Sequence, residues 1–325
     1  MKERYKLNKG ALLGLALIAI GVLALVFNST QPVFHLFSKN TTPFDEGRTV
    51  YGDNITSIEI NSSSPSITVV SADREDIDVK FTGEVSSHVK NSFMLDVETS
   101  KDTLKINIKR PNRTSWFNFG INIMNAKLIV EVPEKMFESI SIHSSSGKVL
   151  IEDIQAEQMD INASSGSIVV SNVTAEKELR LVSSSGAIKA SDSHARAIHA
   201  RASSGAITLV NQHAEKTNVS TSSGSITMTN VGGEISANAS SGSINLDNVQ
   251  LDGNIHASTS SGGVNIRLKE TPSATVDYKG SSGRGNITIP GFSFEQNSNN
   301  NIYGKIGSGD YEITVRTSSG GFTLQ

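Results

Sequence analysis

Histidines, serines and carboxylates are the residues of this 325-residue chain whose types could do chemistry. The seven histidines are His35, His88, His143, His194, His199, His213 and His256. His199 and His256 both stand six residues before the glycine of a Ser-Ser-Gly triplet, but three such units separate them. At one sheet spacing per unit that is ~14 Å, beyond the reach of one metal ion. His194 and His199 bracket a single corner and add nothing to a zinc reading. A nucleophilic serine needs a base within hydrogen-bond reach and an oxyanion site. Here the serines recur in near-identical triplets with no histidine column beside them, so a turn role is the better reading. A glycosidase or lyase would set two carboxylates across a groove. Asp153, Asp160, Asp192, Glu215, Glu234, Asp247 and Asp252 are instead spread over successive units. The chain has no cysteine, which removes disulfides, thiolate zinc sites and thiol nucleophiles together. No catalytic residue, cofactor or metal is expected.

What must position these residues is a repeat. The triplet glycine falls at Gly147, Gly166, Gly186, Gly205, Gly224, Gly242, Gly262 and Gly283, at intervals of 18 to 21 residues. Two residues later stand Val149, Ile168, Ile188, Ile207, Ile226, Ile244 and Val264; four later stand Ile151, Val170, Ala190, Leu209, Met228, Leu246 and Ile266. Seven and five residues before each glycine the positions are again apolar, with Thr217 the exception. Apolar spacing by two is the strand period, so each unit carries one short strand on either side of Ser-Ser-Gly. Three residues before the glycine come small residues, Ser144, Ala163, Ser183, Ala202, Thr221, Ala239 and Thr259, as a narrow inward position beside a bend requires. The glycine supplies either a positive φ or a close approach of backbones. The paired serines are expected to stack and share hydrogen bonds along their column. Six residues after the glycine, Asp153, Asn172, Asp192, Asn211, Asn230 and Asn248 mark a second corner, because Asn and Asp tolerate left-handed backbone. Calcium is a poor fit to that column, since the dense Gly-Gly-x-Gly-x-Asp pattern is absent.

Two strands and two corners in about 19 residues describe one coil of a parallel β-solenoid, whose apolar side is buried only by stacking. Eight coils at ~4.8 Å give a stack of roughly 38 Å. Ile58 and Ile60 before Pro65, with Ile67 and Val69 after it, repeat the template once more. Ile77–Phe81, Phe93–Val97, Leu104–Ile108 and Ala126–Val132 alternate over longer runs and are expected to form an antiparallel sheet capping the first coil. At the other end, Tyr311, Ile313 and Val315, joined through Ser318, Ser319 and Gly320 to Phe322 and Leu324, are expected to make a closing hairpin. The stretch SFEQNSNNNIYGKIGSGD before it reads as an irregular loop with an edge strand.

Residues 1–10 carry Lys2, Arg4, Lys6 and Lys9 against Glu3, and 11–27 run ALLGLALIAIGVLALVF without a charge. A secretory signal peptide shares this plan, but no small-x-small cleavage site follows, so an uncleaved transmembrane helix is expected. Its basic flank stays in the cytoplasm and the rest lies outside the membrane. The domain plan is therefore a cytoplasmic flank at 1–10, a bilayer-spanning anchor at 11–27, a linker at 28–54, a strand-rich leader at 55–135 and the solenoid with its hairpin at 136–325. Taking the +3 of residues 1–10 from the net charge of −3 leaves −6 for the remainder, which gives nucleic acid no purchase. One segment outside the repeat stands apart. SWFNFGINIM places Trp116, Phe117 and Phe119 in a connection, where they form either a contact site for lipid, glycan or protein, or a plug over the end of the solenoid.

With the anchor, the leader and the SSGxIxL coils such as Ser203–Leu209 assembled, together with LIVEVPE at Leu128–Glu134, the chain resembles the bacterial LiaG-like family. The resemblance covers roughly residues 55–325 plus the anchor. It implies a single-pass envelope protein of Gram-positive type, associated with envelope-stress regulation, with a repeat domain catalogued among adhesins of otherwise unknown function and no catalytic residue. The expectation is a non-catalytic binding or structural element of the cell envelope that contacts a membrane-protein partner or wall polymer. Surface adhesin and polysaccharide-active enzyme are the alternatives.

Overall fold

The computed structural model describes residues 41–86, 94–109, 125–270 and 273–325. The anchor at 11–27 and the aromatic segment with Trp116, Phe117 and Phe119 lie outside the described residues. Among the described residues the regular structure is entirely β, in 25 strands with no helix. Apolar alternation places the strands of the repeat as expected, while Thr41–Tyr51, within the stretch read as a linker at 28–54, is a further strand that pairs with Asp76–Ser86. In the Gly205 coil, Ile198, Ala200 and Ala202 point inward and are buried, as are Ile207 and Leu209 beyond the corner. Each coil stacks on the next in parallel, so that Met159 lies beside Leu179, Leu179 beside Ile198, and Ile198 beside Thr217.

The Ser-Ser-Gly corner is built by close approach. A Cβ placed on any of its glycines would lie 1.8 to 2.1 Å from the carbonyl oxygen of the pivot residue in the adjoining coil. No corner glycine has a positive φ; that conformation occurs at Gly233, Gly291, Gly307 and Gly309. The ladder continues around the bend through backbone amides, with Ser164 N–H donating to Ser144 O (2.9 Å) and Ser184 N–H to Ala163 O (3.1 Å). The stacking of the serine pairs is therefore mainly main-chain, and their hydroxyls lie at the surface. Inward hydroxyls three residues before the glycine satisfy the buried corner carbonyls. Ser183 Oγ donates to Gly166 O (3.3 Å), Thr221 Oγ1 to Gly205 O (3.2 Å) and Thr259 Oγ1 to Gly242 O (3.0 Å).

At the second corner the backbone turns left-handed. Asp153, Asn172, Asp192, Asn211, Asn230 and Asn248 have φ between 50° and 58°. Their side chains form amide ladders from coil to coil: Asn172 donates to Asp153 (2.5 Å), Asn211 to Asp192 (2.7 Å), Asn230 to Asn211 (2.6 Å) and Asn248 to Asn230.

Both ends depart from the expected plan. Thr103–Lys109 and Lys127–Pro133 run parallel to Ser57–Ser62 and Ser66–Ala72, in register, and so constitute a further rung rather than an antiparallel cover. Asp76–Ser86 lies antiparallel on Lys127–Pro133, and Met94–Ser100 lies antiparallel on Thr103–Lys109. Period-two alternation is common to parallel and antiparallel strands, so it did not distinguish them. The C-terminal segment is likewise no hairpin. Tyr311–Thr317 pairs in parallel with Ile255–Thr259 on one side and Ala274–Gly280 on the other, while Phe322–Leu324 lies between Val264–Leu268 and Gly285–Ile287. The last residues of the chain thus form a complete rung inserted between the Gly262 and Gly283 rungs. Its Ser318-Ser319-Gly320 triplet explains why: it carries the same corner code as its neighbours. The supposed irregular loop is an antiparallel hairpin of Ser293–Ser298 and Asn301–Ile306, laid on Ala274–Gly280.

Candidate functional site

Because every coil repeats, a site must arise where outward positions of successive coils differ from the pattern. Four residues before the pivot, the outward column reads Asn107, Asn61, His143, Asn162 and Val182, brought side by side by the register of the parallel strands. These residues and the serines of the adjacent corner line a solvent-open groove of about 550 Å³, with Ile108 and Ala163 as apolar floor. Asn61 Nδ2 donates both to Glu59 Oε1 (2.9 Å) and to Asn107 Oδ1 (3.2 Å), which fixes the amide edge. Such a surface offers hydroxyl and amide hydrogen bonds at one rung spacing, the chemistry of a polar polymer contact.

A second concavity of about 500 Å³ lies at the opposite corner, lined by residues including Gln212, His213, Asn230, Gly233, Asp252 and Lys269. Gly233 N–H donates to Asp252 Oδ1 at 2.5 Å, and the buried Oε1 of Gln212 has no hydrogen-bond partner. Above it His213 stacks on His194, with centroids 4.5 Å apart and planes 9° from parallel. Sequence reasoning missed this pair, yet both residues stand eight after a triplet glycine, so the shared offset was a usable signal. His199 and His256 stay three rungs apart, joined through Asn218 and Ser236. No group of three or more histidine or carboxylate side chains is placed to hold a metal among the described residues.

Several of the carboxylates are engaged in ion pairs, while Asp153, Asp192 and Asp252 accept hydrogen bonds from Asn172, Asn211 and the Gly233 amide. Asp160 meets Arg180 (3.5 Å), Glu234 meets Lys216 (2.7 Å), Asp247 meets Arg267 (2.8 Å) and Glu157 meets Lys177, each pair spanning adjoining rungs. The densest cluster sits at the N-terminal edge. Arg74 reaches Glu131 (2.6 Å), Asp76 (2.8 Å) and Asp78 (3.7 Å), while Lys80 holds Asp78 at 2.9 Å. A glycosidase acid requires a carboxyl pushed upward. Asp78 goes the other way: Lys80 hydrogen-bonded to it, with Thr49 and Arg74 assisting, lowers it below the usual carboxylate range.

Parallel two-strand rungs, stacked glycine to carbonyl and closed by antiparallel edges, define the architecture, and a family model for this architecture, Toastrack DUF4097, matches residues 55–325. The chain belongs to the Toastrack DUF4097 family. A comparison with curated proteins finds no match. Among solved structures, the toastrack is similar to a "putative adhesin" of Bacteroides fragilis NCTC 9343, with 14% identity over 87% of this chain and 97% of that one and a TM-score of 0.40. It is similar also to a "putative lipid binding protein" of Parabacteroides distasonis ATCC 8503, with 14% identity over 86% and 96% of the two chains and a TM-score of 0.34. A "putative cell adhesion protein" of Clostridium sporogenes ATCC 15579 shares 15% identity over 87% and 99%, with a TM-score of 0.25.

Of the residues singled out in the sequence, the eight triplet glycines come together as one column, extended by Pro65 at one end and by Gly320 between Gly262 and Gly283. The aromatic trio belongs to the segment that follows Thr103–Lys109 in the chain, and the groove's Asn107 and Ile108 belong to that strand.

Proposed function

We propose that this toastrack is a membrane-anchored, extracytoplasmic element of the bacterial cell envelope that works by binding, without catalysis, and serves the envelope-stress response. The observation that carries the reading is the groove beside the Ser-Ser-Gly corner, where Asn61, Asn107, His143 and Asn162 present amide and imidazole groups one rung apart. A rung spacing of ~4.8 Å is close to the rise of one sugar residue in an extended glycan, so a wall polysaccharide can meet equivalent groups along the axis. The basic flank and apolar run at residues 1–27 support a position tethered to the outer side of the cytoplasmic membrane.

Two measurements test this. Purified wall sacculi should retain the protein in a pelleting assay, and the Asn61→Ala/Asn162→Ala variant should bind at least tenfold more weakly with an unchanged melting temperature. Equal retention of wild type and variant removes the groove from the reading. Protease added to whole cells should digest the C-terminal portion; its survival until lysis would place the solenoid inside the cell and sink the envelope assignment.

A further inference from the structure

The last rung is out of chain order, and its contacts are the ones that hold the C-terminal end together. Among the described strands, Ala274–Gly280 pairs only with Asn301–Ile306 and Tyr311–Thr317, and Gly285–Ile287 pairs only with Phe322–Leu324. The ladders that join the end cap to the body of the solenoid therefore all run through the C-terminal segment. Remove that segment, and two parallel edges face each other across a gap one rung wide. The gap has its own chemistry. A Cβ on Gly320 would lie 1.8 Å from Gly262 O, and one on Gly283 would lie 1.8 Å from Gly320 O, so only a strand–Gly–strand segment closes it. Inside, Phe322 packs on Tyr278 with centroids 5.0 Å apart, and Tyr278 Oη bonds Thr317 Oγ1 at 3.2 Å. Outside, Arg316 pairs with Asp277 at 2.5 Å.

We propose that this gap is an acceptor site for a strand–turn–strand segment delivered in trans, and that its partner is the C-terminal rung of a second copy of this chain. Two features of that rung point there. The connection to it, Gly307-Ser308-Gly309-Asp310, includes two glycines with φ of 65° and 82° and is largely exposed, giving a short hinge. Every ladder that the segment makes in its own chain is reproduced when it fills the gap of another, so exchange costs connectivity rather than contacts. The intramolecular form is favoured at low concentration through its effective concentration, and exchange grows as the chains are concentrated. In the resulting dimer each copy's end cap is held to its body by the other's last residues.

The absence of cysteine makes a clean test possible in the full chain. Asn265 and Thr323 are register partners across the gap boundary, on outward positions. Parallel neighbours lie within the Cα separation a disulfide spans. Two differently tagged single variants, Asn265→Cys and Thr323→Cys, are unfolded together, refolded and oxidised. The expected result is a disulfide-linked heterodimer whose yield rises with protein concentration. The double variant should close within one chain at high dilution, and a mixture of Asn245→Cys with Asn265→Cys, both in the body, should stay unlinked. The proposal is overturned if the mixed pair stays unlinked while the double variant closes. It is equally overturned if the body pair links as readily, which would mark random collision, or if the double variant fails to close.

Discussion

At the scale of single residues, the corner glycines and the inward polar side chains make opposite predictions. Gly205→Ala places a methyl carbon 2.0 Å from the Gly186 carbonyl oxygen. Both atoms belong to laddered backbone, so neither yields cheaply, and the loss should be about 3 kcal/mol in urea unfolding. Gly263→Ala, one residue past a corner, meets its nearest atom at 3.4 Å and should stay within about 0.5 kcal/mol of wild type. Similar losses in the two variants would show that crowding against the neighbouring carbonyl is not what selects glycine at the corner, because alanine's lower unfolded-chain entropy by itself favours the folded state. Thr217 is the converse case: it is wholly buried, it interrupts an apolar column, and its hydroxyl has no hydrogen-bond partner. Thr217→Val keeps the shape and removes an unpaired buried polar group, so stability should rise by about 1 kcal/mol. A lower melting temperature for this variant would mean that the hydroxyl has a partner, such as a buried water.

At the scale of elements, the two corners follow different physical rules, and only one kind of information about them was written in the sequence. The glycine column, the small inward residues and the Asp153–Asn248 column were legible because each is a local requirement repeated at a fixed offset. Which strand lies beside which was not legible at the ends, because Leu104, Ile106, Leu128 and Val130 satisfy a parallel rung and an antiparallel cover equally well. Within the second corner, the ladder is broken between Asn172 and Asp192, since the Asn172 amide is turned to Asp153 and a carboxylate cannot donate. Asp192→Asn should join the two ladders and add about 0.5 kcal/mol, whereas Asp192→Ala should lose about 1 kcal/mol for placing alanine in left-handed backbone. A destabilised Asp192→Asn variant would argue that the charge, and not the amide, matters there. The N-terminal edge has a pH signature. Asp78 titrates below its ordinary value in the folded chain, chiefly through Lys80, so its contribution is present above the unfolded carboxylate pKa and is lost as pH falls through the folded one. Asp78→Asn should therefore flatten the acid limb of the melting-temperature profile below about pH 4. An unchanged acid limb would mean that other carboxyls govern acid unfolding.

At the scale of the whole molecule, the body is a one-dimensional stack in which each rung touches only its neighbours, and such a stack can grow by adding rungs in chain order. The ends do not obey that order. The Leu104 rung lies outside the Pro65 rung although it follows it in the chain, and from there the chain steps past the Pro65 rung to reach the Gly147 rung. At the other end the Gly283 rung is made before the Gly320 rung that must separate it from Gly262. A Gly283 rung docking early onto Gly262 would satisfy the glycine rule but strand the C-terminal segment outside, so native assembly requires the last residues to be in place first. The body strands from Gln155 to Val249 should accordingly gain amide protection early in refolding. Ala274–Gly280, Gly285–Ile287, Tyr311–Thr317 and Phe322–Leu324 should follow together in a later step. Pulse-labelled hydrogen exchange of the refolding chain reads this order directly. Body-like protection of Gly285–Ile287 before Phe322–Leu324 would show that the cap docks without its partner rung, which the strand pairing does not allow.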